Sequence, residues 1–292
     1  MERGSSRKRR AWVFPMILLL LLLLIGILLY DSNTRLVTSE YEVGFANLPG
    51  AFDGYRIVVL SDIHAAEFGV GNERLIGRVK AADPDIIILA GDFIDHHETL
   101  GTEEQLVIAE TLVLGLQPIA PIYYITGNHE WDKGGVRELL ALLEELEVSV
   151  LRNKYTFLTR GGDTVILAGT DDINGPADMI KPDELVAKIR EAEGRGFIVM
   201  LEHRNYNLAL YSELEVELVL SGHSHGGIIR LPLVGGLIGQ QRDWFPENTN
   251  GVCAQGGTKM VVSRGIGNHT GFPRFLNNPE VVVVVLRNSG GD

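Results

Sequence analysis

Five short apolar runs in this chain each stop at a cluster of acidic, amide or imidazole side chains, and that coupling narrows the folds open to it. The runs are 57–60, 86–90, 122–125, 198–201 and 218–220. They are dense in Ile, Val and Leu and too short for helices, so they predict buried strands. The clusters that follow are Asp62-Ile63-His64, Gly91-Asp92-Phe93-Ile94-Asp95, Gly127-Asn128-His129-Glu130, Glu202-His203 and Gly222-His223-Ser224-His225. Strand ends in layered α/β folds converge on one edge, where functional loops gather. Five clusters far apart in sequence are therefore expected to meet at one place.

Helical patterns lie between the strands. Segments 72–82, with Asn72 as N-cap, and 102–116, with Thr102 capping, carry start signals. Segment 136–147 puts Leu139, Leu140, Leu143 and Leu146 on one face, and 181–194 completes the set. Further strands are expected at 164–168, 259–263 and 281–286. Early strands alternate with helices and later ones come without them. The expected fold class is α/β, with two sheets packed as a sandwich and flanked by helices. No linker divides 43–287, and residues 288–292 read as a short tail.

The N-terminus sets a different constraint. Residues 11–30 carry no charge, and such a helix spans about 30 Å, the thickness of a bilayer core. Trp12 and Tyr30 bracket the run, and Arg7, Lys8, Arg9 and Arg10 precede it. The reading is a basic tail at 1–10, a single transmembrane helix at 11–30 and a polar stalk at 31–42. Positive charge stays on the cytoplasmic side, so the rest of the chain is expected outside the cytoplasm, at the cell membrane. A cleaved leader shares the basic start and apolar middle, but the bulky residues 28–32 offer no small-x-small site.

Composition limits the partners. The first thirty residues hold five of the 26 basic side chains and one of the 38 acidic ones, leaving 21 against 37. A domain so acidic lacks the basic footprint of a nucleic-acid scaffold. Cys253 is the single cysteine, so neither an intrachain disulfide nor a thiolate cluster can form.

Carboxylate oxygen, amide oxygen and imidazole nitrogen suit Mn²⁺, Fe or Zn²⁺ better than Cu⁺, and the many histidines argue against Ca²⁺. Asp62 and His64 stand two apart, as do His223 and His225; on extended backbone each pair would face one side. His96, His97 and His269 read as loop or structural histidines. Arg264 and Arg274 suit phosphate oxygens, with a structural salt bridge as the equal alternative for each. Trp244 and Phe245 read as either core or a contact with lipid or substrate.

The ordered set Asp-x-His, Gly-Asp-x-x-Asp, Gly-Asn-His-Glu, His and Gly-His-x-His resembles the calcineurin-like metallophosphoesterase superfamily over about 55–280. The N-terminal anchor, Gly226-Gly227, and the later Arg264-Gly265, Pro273-Arg274-Phe275 and Pro279-Glu280 resemble the YkuE/YaeI-like membrane-associated phosphodiesterases; Asn205 replaces a proline common there. The resemblance implies a four-layer sandwich and two divalent ions. One is held by Asp62, His64, Asp92 and His225, the other by Asp92, Asn128, His203 and His223, with Asp92 bridging. It implies His129 as the catalytic histidine, oriented by Asp95, and attack by a metal-bridging hydroxide on a phosphodiester or pyrophosphate. Location makes a lipid-linked or envelope substrate attractive. A phosphomonoesterase and a non-catalytic metal- or phosphate-binding envelope protein are the rival readings.

Overall fold

The computed structural model describes residues 4–95, 100–132, 135–176, 179–240, 242–268 and 272–290, with side chains from Trp12 onward. His96, His97 and His269 lie outside the described residues, as do the side chains of Arg7, Lys8, Arg9 and Arg10.

The apolar N-terminus forms one helix, α1 (Gly4–Thr34). Within 12–34 its most apolar 18-residue window has a mean hydropathy of 3.0 and no buried residue, and it is the one helix among the described residues long and apolar enough to cross a membrane. The first sheet then begins with β1 (Val37–Phe45), β2 (Arg56–Leu60), β3 (Ile86–Ala90), β4 (Ile122–Ile125) and β5 (Ser149–Val150). The second takes β6 (Lys154–Arg160), β7 (Asp163–Gly169), β8 (Ile198–Leu201) and β9 (Leu218–Ser221). A small hairpin follows, β10 (Arg230–Leu231) and β11 (Gly235–Gly236). The second sheet ends with β12 (Gly251–Gln255) and β13 (Thr258–Val262), and β14 (Glu280–Asn288) returns to the first. Strand order is β1-β14-β2-β3-β4-β5 in one sheet and β12-β13-β9-β8-β7-β6 in the other. The strands that carry the polar clusters, β2, β3 and β4 in one sheet and β8 and β9 in the other, run parallel within their sheets.

The helices are α2 (Glu73–Ala81), α3 (Thr102–Leu116), α4 (Asn128–Asp132), α5 (Val136–Glu145), α6 (Pro182–Glu193) and α7 (Leu208–Glu213). Leu75, Val79, Leu112, Leu116, Leu139 and Leu143 bury one face of the first sheet. Leu185, Ile189 and Tyr211 bury the outer face of the second. Ile57, Val59, Ile88, Leu167, Val199 and Leu220 fill the space between the sheets. The valine run of β14 shows why the apolar strands do not alternate with polar residues. Val281, Val283 and Val285 enter the core beneath the helices, while Val282 and Val284 enter the core between the sheets. The architecture is thus helix–sheet–sheet–helix, as expected.

The stalk is a correction. Helix α1 runs on to Thr34 and β1 starts at Val37, leaving no free spacer. The polar groups of this stretch, side-chain and backbone, serve as tertiary partners. Ser32 Oγ accepts the Leu276 N–H at 2.8 Å. Asn33 takes the Arg274 backbone with both ends of its amide, at 2.9 and 3.0 Å. Asn278 Nδ2 donates to the Asp31 carbonyl at 2.8 Å. Likewise Asn288, expected in a tail, closes β14. Helix starts differ by a residue: Thr102 is already helical, and Glu104 accepts the Gly101 N–H at 2.9 Å. Asn72 uses its side chain on the Phe68 N–H at 2.9 Å rather than on α2.

Candidate metal centre

The loop after β2 continues beside the loop after β3 as a short ladder. Asp62 N donates to Gly91 O at 3.0 Å, His64 N to Asp92 O at 3.0 Å and Ala65 N to Phe93 O at 2.9 Å. The second sheet is stitched to this edge. His223 N donates to both Asp62 carboxylate oxygens at 3.0 Å. His203 Nδ1 lies 2.8 Å from the Ala90 carbonyl, so it carries the proton and donates there. Its Nε2 is left to face inward, a pattern typical of metal-ligating histidine.

The expected ligands converge. Asp62, His64 and His225 bring ligand atoms within 4.8 Å of one another, as do Asp92, His203 and His223. A third group, His64, Asp92 and His129, joins them. His64 Nε2 and His225 Nε2 stand 3.2 Å apart, and His225 Nε2 lies 3.3 Å from Asp62 Oδ1. Asp92 Oδ2 lies 3.0 Å from His203 Nε2 and 3.9 Å from both His64 Nε2 and His129 Nε2. Asp92 therefore stands between the two ligand groups, where a bridging carboxylate would.

The donor set fits a pair of divalent ions. Imidazole nitrogens and carboxylate oxygens crowd a dry space with their lone pairs facing inward, and such groups need a cation between them. His203 Nε2 and Asn128 Oδ1 are buried atoms without a well-formed hydrogen bond among the described residues. The buried carboxylates and imidazoles also perturb one another. Burial, helped by Asp92, pushes Asp62 up to about 6. Burial works against Asp92 too, but His203 above all, with His129 and His64, holds it well below the usual carboxylate range. Burial lowers His203, yet Asp92 outweighs it and lifts the ring to about 10. Burial and the charge of His203 hold His223 well below its ordinary value.

The two-residue spacing works by a different backbone than expected. Asp62, His64, His223 and His225 have φ of 52°, 50°, 66° and 45°, and Asp92 has 51°. These are left-handed turns, not extended segments, and Asp and His are among the residues that tolerate them. Glycine at 127 and 222 is required by close approach. A Cβ at Gly127 would overlap Asp92 Oδ1, and one at Gly222 would overlap Ser61 Oγ.

His129 stands at the rim of the centre, its Nδ1 3.7 Å from Asp95 Oδ1. Burial lowers its pKa, but Asp95, Asp92 and Glu130 outweigh burial and raise it. Glu130 had no role in the sequence reading. It accepts the N–H groups of Gly127 at 2.6 Å, Phe93 at 2.6 Å and Asp92 at 3.0 Å, clamping the loops after β3 and β4 together. Its position directly after Asn128-His129 was the available signal. Arg264 takes the salt-bridge alternative, 2.9 Å from Glu280. Arg274 is buried behind the centre, with Nη2 3.2 Å from His225 Nδ1 and 2.6 Å from the Gly267 carbonyl. A cavity of about 420 Å³ opens beside the ligands, lined by Asn205, Tyr206, Ser224, Asp243, Asn248 and Thr249. The Tyr206 ring meets the His223 ring edge-on at 5.4 Å.

The chain is 28% identical over 264 residues to the uncharacterized metallophosphoesterase YkuE of Bacillus subtilis (strain 168), covering 89% of this chain and 88% of that one. It is 26% identical over 238 residues to phosphodiesterase YaeI of Escherichia coli (strain K12), covering 80% and 82%. A transmembrane protein with metallophosphoesterase domain from Danio rerio is 27% identical over 238 residues; these cover 77% of this chain and 52% of that protein, about half its length. Among solved structures, a dimetal phosphatase from Danio rerio aligns with a TM-score of 0.44 at 11% identity, covering 73% of this chain and 88% of that one. Residues 55–227, more than half of the chain and inclusive of every ligand cluster, match the calcineurin-like phosphoesterase family. The chain belongs to that family and is a metal-dependent phosphoesterase.

Proposed function

We propose that this chain is a membrane-anchored hydrolase that cleaves phosphodiester or pyrophosphate bonds at a two-ion centre, on the non-cytoplasmic side of the cell membrane. One observation carries the reading. Asp92 stands between two imidazole-rich groups, Asp62-His64-His225 and His203-His223, all buried. On this reading Asp62, His64, Asp92 and His225 hold one ion, and Asp92, Asn128, His203 and His223 hold the other. Mn²⁺, Zn²⁺ or iron suits the mixture of nitrogen and oxygen donors. Such ions, when bound, supply a water-derived nucleophile near neutral pH and neutralise phosphate charge.

The remaining work falls to the chain. His129 directs Nδ1 toward Asp95, which fixes the ring and leaves Nε2 toward the centre. Its raised affinity for protons suits a group that gives a proton from Nε2 to the departing alkoxide. Ser61 Oγ and His223 N hold the Asp62 carboxylate in place. The anchor reading rests on α1. An apolar helical stretch with no buried residue is poorly suited to water, and the basic residues that precede this stretch favour the cytoplasm for the N-terminus.

The test compares wild type with His129→Ala on bis-p-nitrophenyl phosphate and p-nitrophenyl phosphate, with metal content measured in both. The expected result is hydrolysis of the diester, a fall of about 10²–10⁴-fold in the variant and unchanged metal content. Equal rates would remove the catalytic role of His129. Preference for the monoester would favour the phosphomonoesterase, and no turnover of either ester the binding protein.

A further inference from the structure

We propose that the tip of the β10–β11 hairpin and the adjoining Trp244-Phe245 loop form a second contact with the bilayer that holds α1. The partner is a lipid surface. This rests on the reading of α1 as an anchor and goes beyond it, because an anchor alone does not say which other surface of the domain meets the membrane.

The surface itself is unusual for a water-soluble loop. Leu233 is fully exposed, Val234 and Leu231 are exposed beside it, and Trp244 and Phe245 are 68% and 58% exposed. The two loops are one unit. Ile238 bridges to Trp244, and Phe245 N donates to Leu237 O at 3.0 Å, directly after β11. A Leu-Val tip beside an exposed Trp and Phe is the mixture that favours the membrane–water interface.

What says that a bilayer covers it is its attachment to the end of α1. Ile229 bridges to Phe275, and Arg230 N donates to Phe275 O at 3.0 Å. The next residue, Leu276, donates its N–H to Ser32 Oγ at 2.8 Å. The preceding one, Arg274, is held on both backbone groups by Asn33. Ser32 lies two residues past Tyr30, roughly 3 Å of helix rise beyond the apolar run. Leu233 lies three residues past Arg230, so its chain reaches at most roughly 10 Å from that junction. A single segment, 274–278, therefore carries both the point where α1 leaves the apolar layer and the base of the exposed hairpin.

The same block reaches the metal centre. Leu237 N donates to Ile229 O at 2.8 Å and Arg230 Nη1 to Gly226 O at 2.8 Å, next to His225. The inner side of the Trp244-Phe245 loop is polar and contributes Asp243, Asn248 and Thr249 to the cavity beside the ligands. Pinning its outer side to lipid would set the mouth of the centre at the headgroup layer, where a phosphate ester carried by a lipid would lie.

The experiment uses the full chain in nanodiscs of phosphatidylcholine and phosphatidylglycerol. Cys253 is the single cysteine, so Cys253→Ser combined with Leu233→Cys, or with Trp244→Cys, places one environment-sensitive fluorophore. Arg195→Cys in the same background is the control, an exposed position in the loop before β8. The expected result is blue-shifted emission at 233 and 244, lost on adding nitroxide-labelled lipid, with neither effect at 195. Labels at 233 and 244 as water-exposed as the one at 195 would overturn the proposal. Shielding only in discs that hold two copies would also overturn it, in favour of self-association. Failure of the full chain to enter discs would remove the anchor reading and this proposal with it. Hydrolysis of soluble bis-p-nitrophenyl phosphate is read in parallel, so a failure of the metal-centre reading is seen separately.

Discussion

Gly127→Ala tests whether the approach of the β4 loop to Asp92 sets the metal geometry. Alanine can adopt the backbone at 127, which is not in the left-handed region. The added Cβ would overlap Asp92 N and Oδ1 and come to 2.9 Å from Asp92 Cγ, where ordinary contact starts at 3.4 Å. Oδ1, at 2.3 Å, must therefore withdraw by about 1 Å. That is about twice the tolerance within which a catalytic constellation must be held. Misplacement of this size costs about 10²-fold in rate, or about 2.7 kcal/mol at 1.36 kcal/mol per tenfold. Overpacking adds a stability cost of about 1–3 kcal/mol. The expected outcome is a folded protein with Tm lowered by several degrees, metal affinity reduced about 10–100-fold and kcat/KM for bis-p-nitrophenyl phosphate down about 10²-fold. Gly77→Ala is the control. It sits exposed within α2, a Cβ there meets nothing within 4 Å, and stability should rise by about 0.5–1 kcal/mol. A Gly127→Ala protein with wild-type metal content and wild-type kcat/KM would refute the reasoning.

Three further outcomes are expected. Chelation with EDTA should lower Tm by an amount that grows with the metal concentration used before stripping, since ions that bind only the folded state add RT ln(1 + [L]/Kd); an unchanged Tm in differential scanning calorimetry would count against a resident metal centre. Glu280 is buried, and although burial opposes its ionisation, Arg264 and Ser39 hold its carboxyl below the ordinary range. Its contribution is thus complete above the unfolded value of about 4.3 and fades as pH falls through the lower folded value. Glu280→Gln should flatten that acid limb in urea midpoints measured against pH, and an unaltered slope would show that Glu280 does not carry it. Asn33→Ala removes two hydrogen bonds to the Arg274 backbone, at about 1 kcal/mol each; faster amide exchange in 274–278, with unchanged exchange in α6, is the expected signature.

Much of the fold was legible because burial on both faces leaves an unambiguous mark. Runs such as Ile86–Ala90 and the valines of β14 cannot be anything but central strands once their length excludes helices. The gathering of the ligands was legible for a related reason, since each cluster directly follows such a run. What failed was inference from polarity alone. Asp31, Ser32 and Asn33 look like a solvated spacer, yet Ser32 and Asn33 bond the backbone at 276 and 274, and Asp31 accepts from the Asn278 side chain, some 240 residues away. Glu130 was visible as a residue but not as a clamp, because its partners are backbone N–H groups, which every residue but proline presents alike. Arg264 could not be assigned between phosphate and salt bridge until Glu280 was placed beside it.

The backbone at the centre explains why its residues serve two purposes. Asp62, His64, Asp92, His223 and His225 all lie in the left-handed region. Non-glycine residues held there cost of order 1–3 kcal/mol each, a sum comparable with the roughly 5–15 kcal/mol net stability of an ordinary domain. Five such turns persist only if the surroundings over-determine them. The ladder between the β2 and β3 loops, the Glu130 clamp and the donation from His223 N to Asp62 do this from the protein side. Asp and His are also the side chains that tolerate such turns with less strain than β-branched or bulky residues. An alanine at any of the five therefore removes a ligand and leaves a backbone that alanine itself disfavours. Glycine at the same position removes the ligand while relieving the turn. Comparing the two separates the metal contribution from the conformational one: Asp62→Gly should retain more thermal stability than Asp62→Ala while losing as much metal. Equal stability of the two variants would mean that the left-handed turn at Asp62 carries no strain.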